Sequence, residues 1–174
     1  MLSSQAVTLG AVLLVWLGGH QAQKDGGIVP SSLSLPSSLE KQSDVSPQAL
    51  EQAIYAQINQ YRQQRRLPPL TLDERISQQA RSHSQAMAQQ GRINHDGFGD
   101  RLRAINQVIP YSSGAENVAY NRGFSDPATR AVQGWLTSTG HRQNIEGQFN
   151  VTGIGVAKNS RGEYYFTQIF IRRR

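Results

Sequence analysis

From Ser46 onward the apolar residues Leu50, Ile54, Ile58 and Tyr61 recur at steps of four, four and three. That spacing draws one stripe along an amphipathic helix. Ser46 followed by Pro47 is an N-cap and a proline at the first helical position, and Pro68-Pro69 ends the run. A second stripe, Ile76, Ala80, His83 and Met87, predicts a helix opening at Thr71, where Glu74 completes a capping-box pattern. Gly91 ends it. Residues 97–109, with "GDRLRAINQV", read as a loop and a short helix, and Ser113 to Tyr120 as a short strand. Asp126-Pro127 opens a further helix carrying Ala131, Val132 and Trp135, and a helical turn follows from Gly140 to about Glu146.

The period then changes to two. Val151 to Ala157 and Tyr164 to Arg172 are strands joined by the turn "NSRG". Ile154 and Val156 alternate with Gly153, Gly155 and Ala157, a small-residue face that another backbone approaches closely. The last strand is apolar on both sides, with Tyr164, Phe166 and Phe170 on one and Tyr165, Ile169 and Ile171 on the other. It must be covered on both. Helices are available to cover it, so the expected fold is α/β (α+β): a three-layer α-β-α sandwich around a small central sheet.

The start of the chain follows a different pattern. Ala6 to Gly19 is an apolar run of 14 residues, short of the roughly 20 that span a bilayer. It fits the core of an export signal, with an uncleaved anchor as the alternative. Residues 1–22 are therefore expected to be a signal peptide or membrane anchor. Residues 23–47, rich in Ser, Pro, Gly and Gln, read as a flexible linker, and 48–174 as the folded domain. Membrane association is expected only through the N-terminal segment, and a monomer is expected.

There is no cysteine, which excludes thiol catalysis, Cys-ligated metal and disulfides. The balance is basic, with formal net charge +6 and only Lys24, Lys41 and Lys158 among the lysines. Arg65-Arg66 and Arg172-Arg173-Arg174 are its densest spots. Such a surface is either a solvated, solubilising one or is drawn to anionic envelope components. Nucleic acid is not expected, because the arginines are scattered without interleaved aromatics.

His20 lies in the leader, and His83 shares a buried stripe and reads as structural. His95 in "INHDGF" and His141 in "TGHRQNI" remain, with Glu116 in "GAENVAY". A lone carboxylate in a small, apolar strand calls for a cationic or metal partner, and Asn117 stands nearby to help. Placed at element ends, two imidazoles and a carboxylate suit either a divalent metal with an open position or a hydrogen-bonded polar cluster. There is no nucleophile elbow, P-loop or G-x-G-x-x-G, so no catalytic residue is assigned. Asn150 begins a glycosylation sequon.

In order, "INQYRQQRRLPPLTLDERISQQARSHSQAMAQQGRINHDGF", "GAENVAY", "VQGWLTSTGHRQNI", "TGIGVA" and "YYFTQIF" resemble the CAP superfamily of cysteine-rich secretory, antigen 5 and pathogenesis-related proteins. The chain looks most like the short, cysteine-free bacterial branch, and the resemblance covers about residues 48–174. It implies an α-β-α sandwich with a central cleft lined by two histidines and two acids, the positions matching His95, Glu116 and His141. The second acid is missing: three positions after Trp135 stands Ser138. The resemblance implies Zn2+ or another divalent metal on His95 and His141, with Glu116 beside them. It also implies a secreted or extracytoplasmic protein. The first functional expectation is an envelope-tethered binding module for a lipid, glycan or protein ligand. The alternative is a metal-dependent, peptidase-like hydrolase using the same cleft. A purely structural polar network is the third reading.

Overall fold

The computed structural model describes residues 45–174, so the expected leader and linker residues 23–44 lie outside the described residues. The described elements are α1 (Pro47–Gln64), β1 (Thr71–Leu72), α2 (Glu74–Gln90), α3 (Phe98–Val108), β2 (Tyr111–Arg122), α4 (Pro127–Thr137), α5 (Thr139–Glu146), β3 (Val151–Lys158) and β4 (Glu163–Arg173). The strands form one sheet in the order β1-β3-β4-β2, parallel between β1 and β3 and antiparallel elsewhere.

Helices start where the caps predict, with one shift. Ser46 Oγ accepts from Ala49 N at the head of α1, and Asp126 Oδ1 accepts from Thr129 N at the head of α4. The expected start of the second helix at Thr71 is corrected. Thr71 and Leu72 are drawn into a strand because Thr71 N donates to Asn150 O and Asp73 N to Thr152 O, both at 2.9 Å. The cap is then Asp73, whose Oδ1 accepts from Arg75 N. α3 is a full helix of 11 residues, and β2 runs longer than Ser113–Tyr120 because it follows β4 to Arg173.

The C-terminus of α1 is a Schellman motif: Leu67 N donates to Arg62 O and Arg66 N to Gln63 O. Its left-handed residue, normally glycine, is Arg66 at φ 60°. A side chain there costs about 1 kcal/mol.

β4 is buried on both faces, as its pattern requires. On one side Tyr164, Phe166 and Phe170 join Leu50, Ile54 and Ile58 of α1 and Trp135 of α4. On the other, Ile169 and Ile171 meet Ile76 and Ala80 of α2 and Ile105 of α3. Each such fully buried side chain stabilises the fold by about 1.5–3 kcal/mol. The small face of β3 is explained by α2. A Cβ on Gly153 would lie 2.3 Å from the nitrogen of Ser77, and one on Gly155 2.1 Å from that of Arg81. The helix rests directly on the strand there, and no side chain fits between.

β3 pairs with β1 over only two residues, so its outer edge needs other partners. Ile154 N donates to Ser77 Oγ at 3.2 Å and Val156 N to Glu51 Oε1 at 3.1 Å. β2, the opposite edge strand, carries Glu116 near its middle, not at an element end as expected.

Candidate functional site

The site is built on the outer edge of β2 and on the loop between α2 and α3. Gly91 ends α2 with φ 69°, and Gly97 opens α3 with φ 71°, so the chain turns sharply twice and presents residues 92–96 between the turns. His83, on the last turns of α2, pins that loop: its Nε2 lies 2.8 Å from Asn94 O and must donate to it. Arg101 Nη1 donates to Asp96 O at 2.7 Å from the α3 side.

His95 thereby reaches Glu116, with Nδ1 2.9 Å from Oε1. The Glu116 side chain is 1% exposed and the His95 ring 51%. Arg101 completes the pairing with a two-pronged grip, Nε on Oε2 and Nη2 on Oε1, both at 2.8 Å. The cationic partner that Glu116 calls for is this arginine. Arg101 donates to both oxygens, so Glu116 is the acceptor of the bond to His95 and Nδ1 is the nitrogen that carries its hydrogen. In the neutral ring Nε2 then keeps its lone pair on the exposed side.

His141 comes from the opposite helical layer. Its carbonyl accepts from Asn117 Nδ2 at 3.1 Å, and Asn144 of the same helix donates to Asn117 Oδ1 at 2.9 Å. Asn117 therefore anchors α5 rather than assisting Glu116, because successive strand residues face opposite sides. Burial holds the His141 pKa below its ordinary 6.5, and the nearby His95 adds to the effect. Two side chains cap the outward carbonyls of β2: Asn144 Nδ2 donates to Glu116 O at 3.4 Å and Trp135 Nε1 to Val118 O at 2.9 Å. Main-chain alternation turns the N–H groups of Glu116 and Val118 to the same edge.

His83 is buried, as its stripe predicts, and burial lowers its pKa. It nonetheless belongs to this cluster, with Nε2 4.0 Å from Glu116 Oε1. Neither Arg101 nor the part played by His83 follows from the sequence pattern. Arg101 is visible there only as a basic residue in a helical stretch, with nothing to tie it to a strand 15 residues on.

His95, Glu116 and His141, the residues expected beside a metal, are differently committed in the fold. Glu116 has both oxygens engaged, Ser138 stands at the N-cap of α5 where the family pattern has an acid, and two imidazoles remain. Among the described residues no group of three or more His, Asp or Glu side chains could hold an ion. Structural and catalytic zinc sites use at least three protein ligands. A hollow of about 620 Å³ between the start of α1, α2 and the β3–β4 turn is lined by no histidine. A second of about 440 Å³, between α2 and α3, reaches His83 and Arg101 from behind.

Residues 55–170, two-thirds of the chain, match the CAP cysteine-rich secretory protein family. The uncharacterized protein YkwD of Bacillus subtilis (strain 168) is 34% identical over 129 residues, covering 72% of this chain and 48% of that protein. The uncharacterized membrane protein YlbC of the same organism is 32% identical over 113 residues, covering 62% and 30%. The chain thus spans less than half the length of these curated relatives. An extracellular protein containing a SCP domain from Bacillus anthracis str. Ames superposes with TM-score 0.62 at 32% identity, over 80% of this chain and 45% of that one. An outer surface protein from Borrelia burgdorferi shares the fold, with TM-score 0.65 at 19% identity over 75% and 97%. No helix among the described residues is long and apolar enough to cross a membrane. Although it carries no cysteine, the chain belongs to the CAP, or cysteine-rich secretory protein, family.

Proposed function

We propose that this chain is an extracytoplasmic binding module whose ligand seats on the outer edge of β2, against His95, His141 and the main-chain N–H groups of Glu116 and Val118. The observation that carries the reading is the grip on Glu116. A buried carboxylate, locked by Arg101, fixes the tautomer and orientation of a half-exposed imidazole. That is preorganisation of a recognition group, which lowers the cost of ordering it on binding. The surrounding groups are rich in donors, so the ligand class is one rich in oxygen acceptors, such as a glycan, a carboxylate or a peptide carbonyl. The extracellular location of the SCP-domain relative supports placing this chain outside the cytoplasm.

The hydrolytic reading is less well supported. The lone pair on His95 Nε2 is a candidate general base, but no group of three or more His, Asp or Glu side chains among the described residues could hold the metal that this reading needs. The test is native mass spectrometry of the full chain recovered from its own envelope, with the His95→Ala/His141→Ala variant beside it. We expect the wild-type chain to retain a ligand mass that the double variant loses, with both proteins compared at a temperature where each is folded. An identical bound mass on both proteins would overturn the reading.

A further inference from the structure

Of the two densest arginine spots of the sequence, more than a hundred residues apart, one lines a groove and the other directly precedes a residue that lines it. This groove of about 450 Å³ lies between the end of α1 and the loop from α5 to β3, and Leu67, Pro68 and Phe149 give it an apolar lining. Arg172 and Arg173 line it from β4, and Arg65-Arg66 stand immediately before Leu67. Under them Arg62, 1% exposed, directs its donors to the carbonyls of Pro68, Ile145, Gly147 and Phe149 and to no carboxylate. Glu146 is the acid that lines the groove, and it is engaged by the Tyr61 hydroxyl at 2.5 Å and by Arg65 at 3.9 Å. The exposed side chains of Arg66, Arg173 and Arg174 meet no carboxylate among the described residues.

Arg66 adds an independent observation. It occupies the left-handed position that ends α1, where glycine is the favoured residue and a side chain is strained. Exposed guanidinium groups around an apolar trough complement a chain that alternates phosphates with short carbon units, because arginine grips phosphate oxygens in pairs.

We propose that this groove is a second binding site, for a linear polyol-phosphate polymer, with the arginines on its phosphates and Leu67, Pro68 and Phe149 against its carbon units. The proposal rests on the binding-module reading but uses none of the residues on the β2 edge. Nucleic acid, the other phosphodiester polymer, finds no stacking platform of exposed aromatics here.

The test is titration of the full chain with a synthetic glycerol-phosphate oligomer at low and moderate salt, using Arg66→Gly, Arg173→Gln and the His95→Ala/His141→Ala variant. We expect saturable binding that weakens steeply with salt. Each arginine variant should lose about fivefold, the typical contribution of one arginine near an anionic surface. Arg66→Gly should at the same time melt about 3 °C higher, since it relieves the strained backbone. A folding defect cannot produce tighter folding with weaker binding, so that pair of readings is diagnostic. The histidine variant should bind the oligomer like wild type. Arginine variants that bind like wild type, no binding at low salt, or capture by phosphatidylglycerol vesicles without oligomer binding would each overturn the groove. The β2-edge reading fails separately, if the wild-type chain and the double histidine variant retain the same masses from the envelope once any polyol-phosphate mass is set aside.

Discussion

At opposite margins of the sheet a buried glutamate sits in the fork of a helical arginine. Glu51 of α1 takes Arg81 of α2, Nε to Oε1 at 2.9 Å and Nη2 to Oε2 at 2.7 Å. Glu116 of β2 takes Arg101 of α3 with nearly the same geometry. The difference lies in the remaining acceptor capacity. Glu51 gives it to Val156 N and so closes the open edge of β3. Glu116 gives it to the half-exposed ring of His95. One pair is absorbed into the fold, where it removes a ready template for strand addition. The other faces solvent through an imidazole. A buried carboxylate clamped by arginine is therefore no signature of a site by itself, and what identifies one is the exposure of the third partner.

The largest expected effect tests the fold side of this comparison. Gly155→Ala drives a methyl into the main chain of α2 at Arg81, the residue that holds Glu51. Overpacking against backbone that cannot yield should cost at least about 3 kcal/mol. Circular dichroism melts would show a chain unfolded or molten near 37 °C, and a melting point within a few degrees of wild type would contradict the close α2–β3 contact.

Next come the two carboxylates. Glu116→Ala leaves Arg101, with a side chain only 10% exposed, without its partner and should destabilise by about 3 kcal/mol. Glu51→Ala leaves Arg81, which is 34% exposed and still paired with Glu74, so hydration limits its cost to about 2 kcal/mol. Binding separates the two more sharply than melting does. Envelope ligand should be lost with Glu116→Ala and kept with Glu51→Ala, as measured by native mass spectrometry at a temperature where both are folded. Equal retention by both variants would make Glu116 no more than a second structural carboxylate.

Much of the fold is legible because it is written in local rules. Caps at Ser46 and Asp126, the two-faced apolar strand from Tyr164, and the Gly153–Gly155 face each state a backbone requirement within a few residues. Thr71 departs from its local pattern because its strand state depends on Asn150 and Thr152, about eighty residues away, which local propensity does not register. The site follows the same division. His95, Glu116 and His141 stand out as polar residues in conspicuous settings. Arg101 and His83 do not, since each resembles an ordinary helix residue until α2 and α3 pack beside β2. Asn117 is near Glu116 in sequence yet has a different task, because adjacency along a strand means opposite faces.

The smallest expected effect separates the two margins by pH. His83 belongs to the β2 margin alone, among Glu116, Arg101 and His95, and the Glu51–Arg81 pair has no counterpart. Burial, foremost, and the Arg101 guanidinium and His95 hold its pKa below the ordinary 6.5, although its bond to Asn94 and the Glu116 charge pull the other way. The unfolded chain thus binds a proton near pH 6.5 that the folded chain binds only at lower pH. The stability due to the neutral ring is complete above pH 6.5 and is lost as pH falls toward the depressed folded value. The slope for one such proton is at most about 1.4 kcal/mol per pH unit. His141, shifted in the same direction, adds its own share. In His83→Gln, whose amide can still donate to Asn94 O, the slope between pH 6.5 and 5 should flatten by the His83 share while the His141 share persists. Denaturant midpoints across that range measure the difference. An unchanged slope would mean that His83 titrates as it does in the unfolded chain, and that the pin on the His95 loop is not a buried neutral ring.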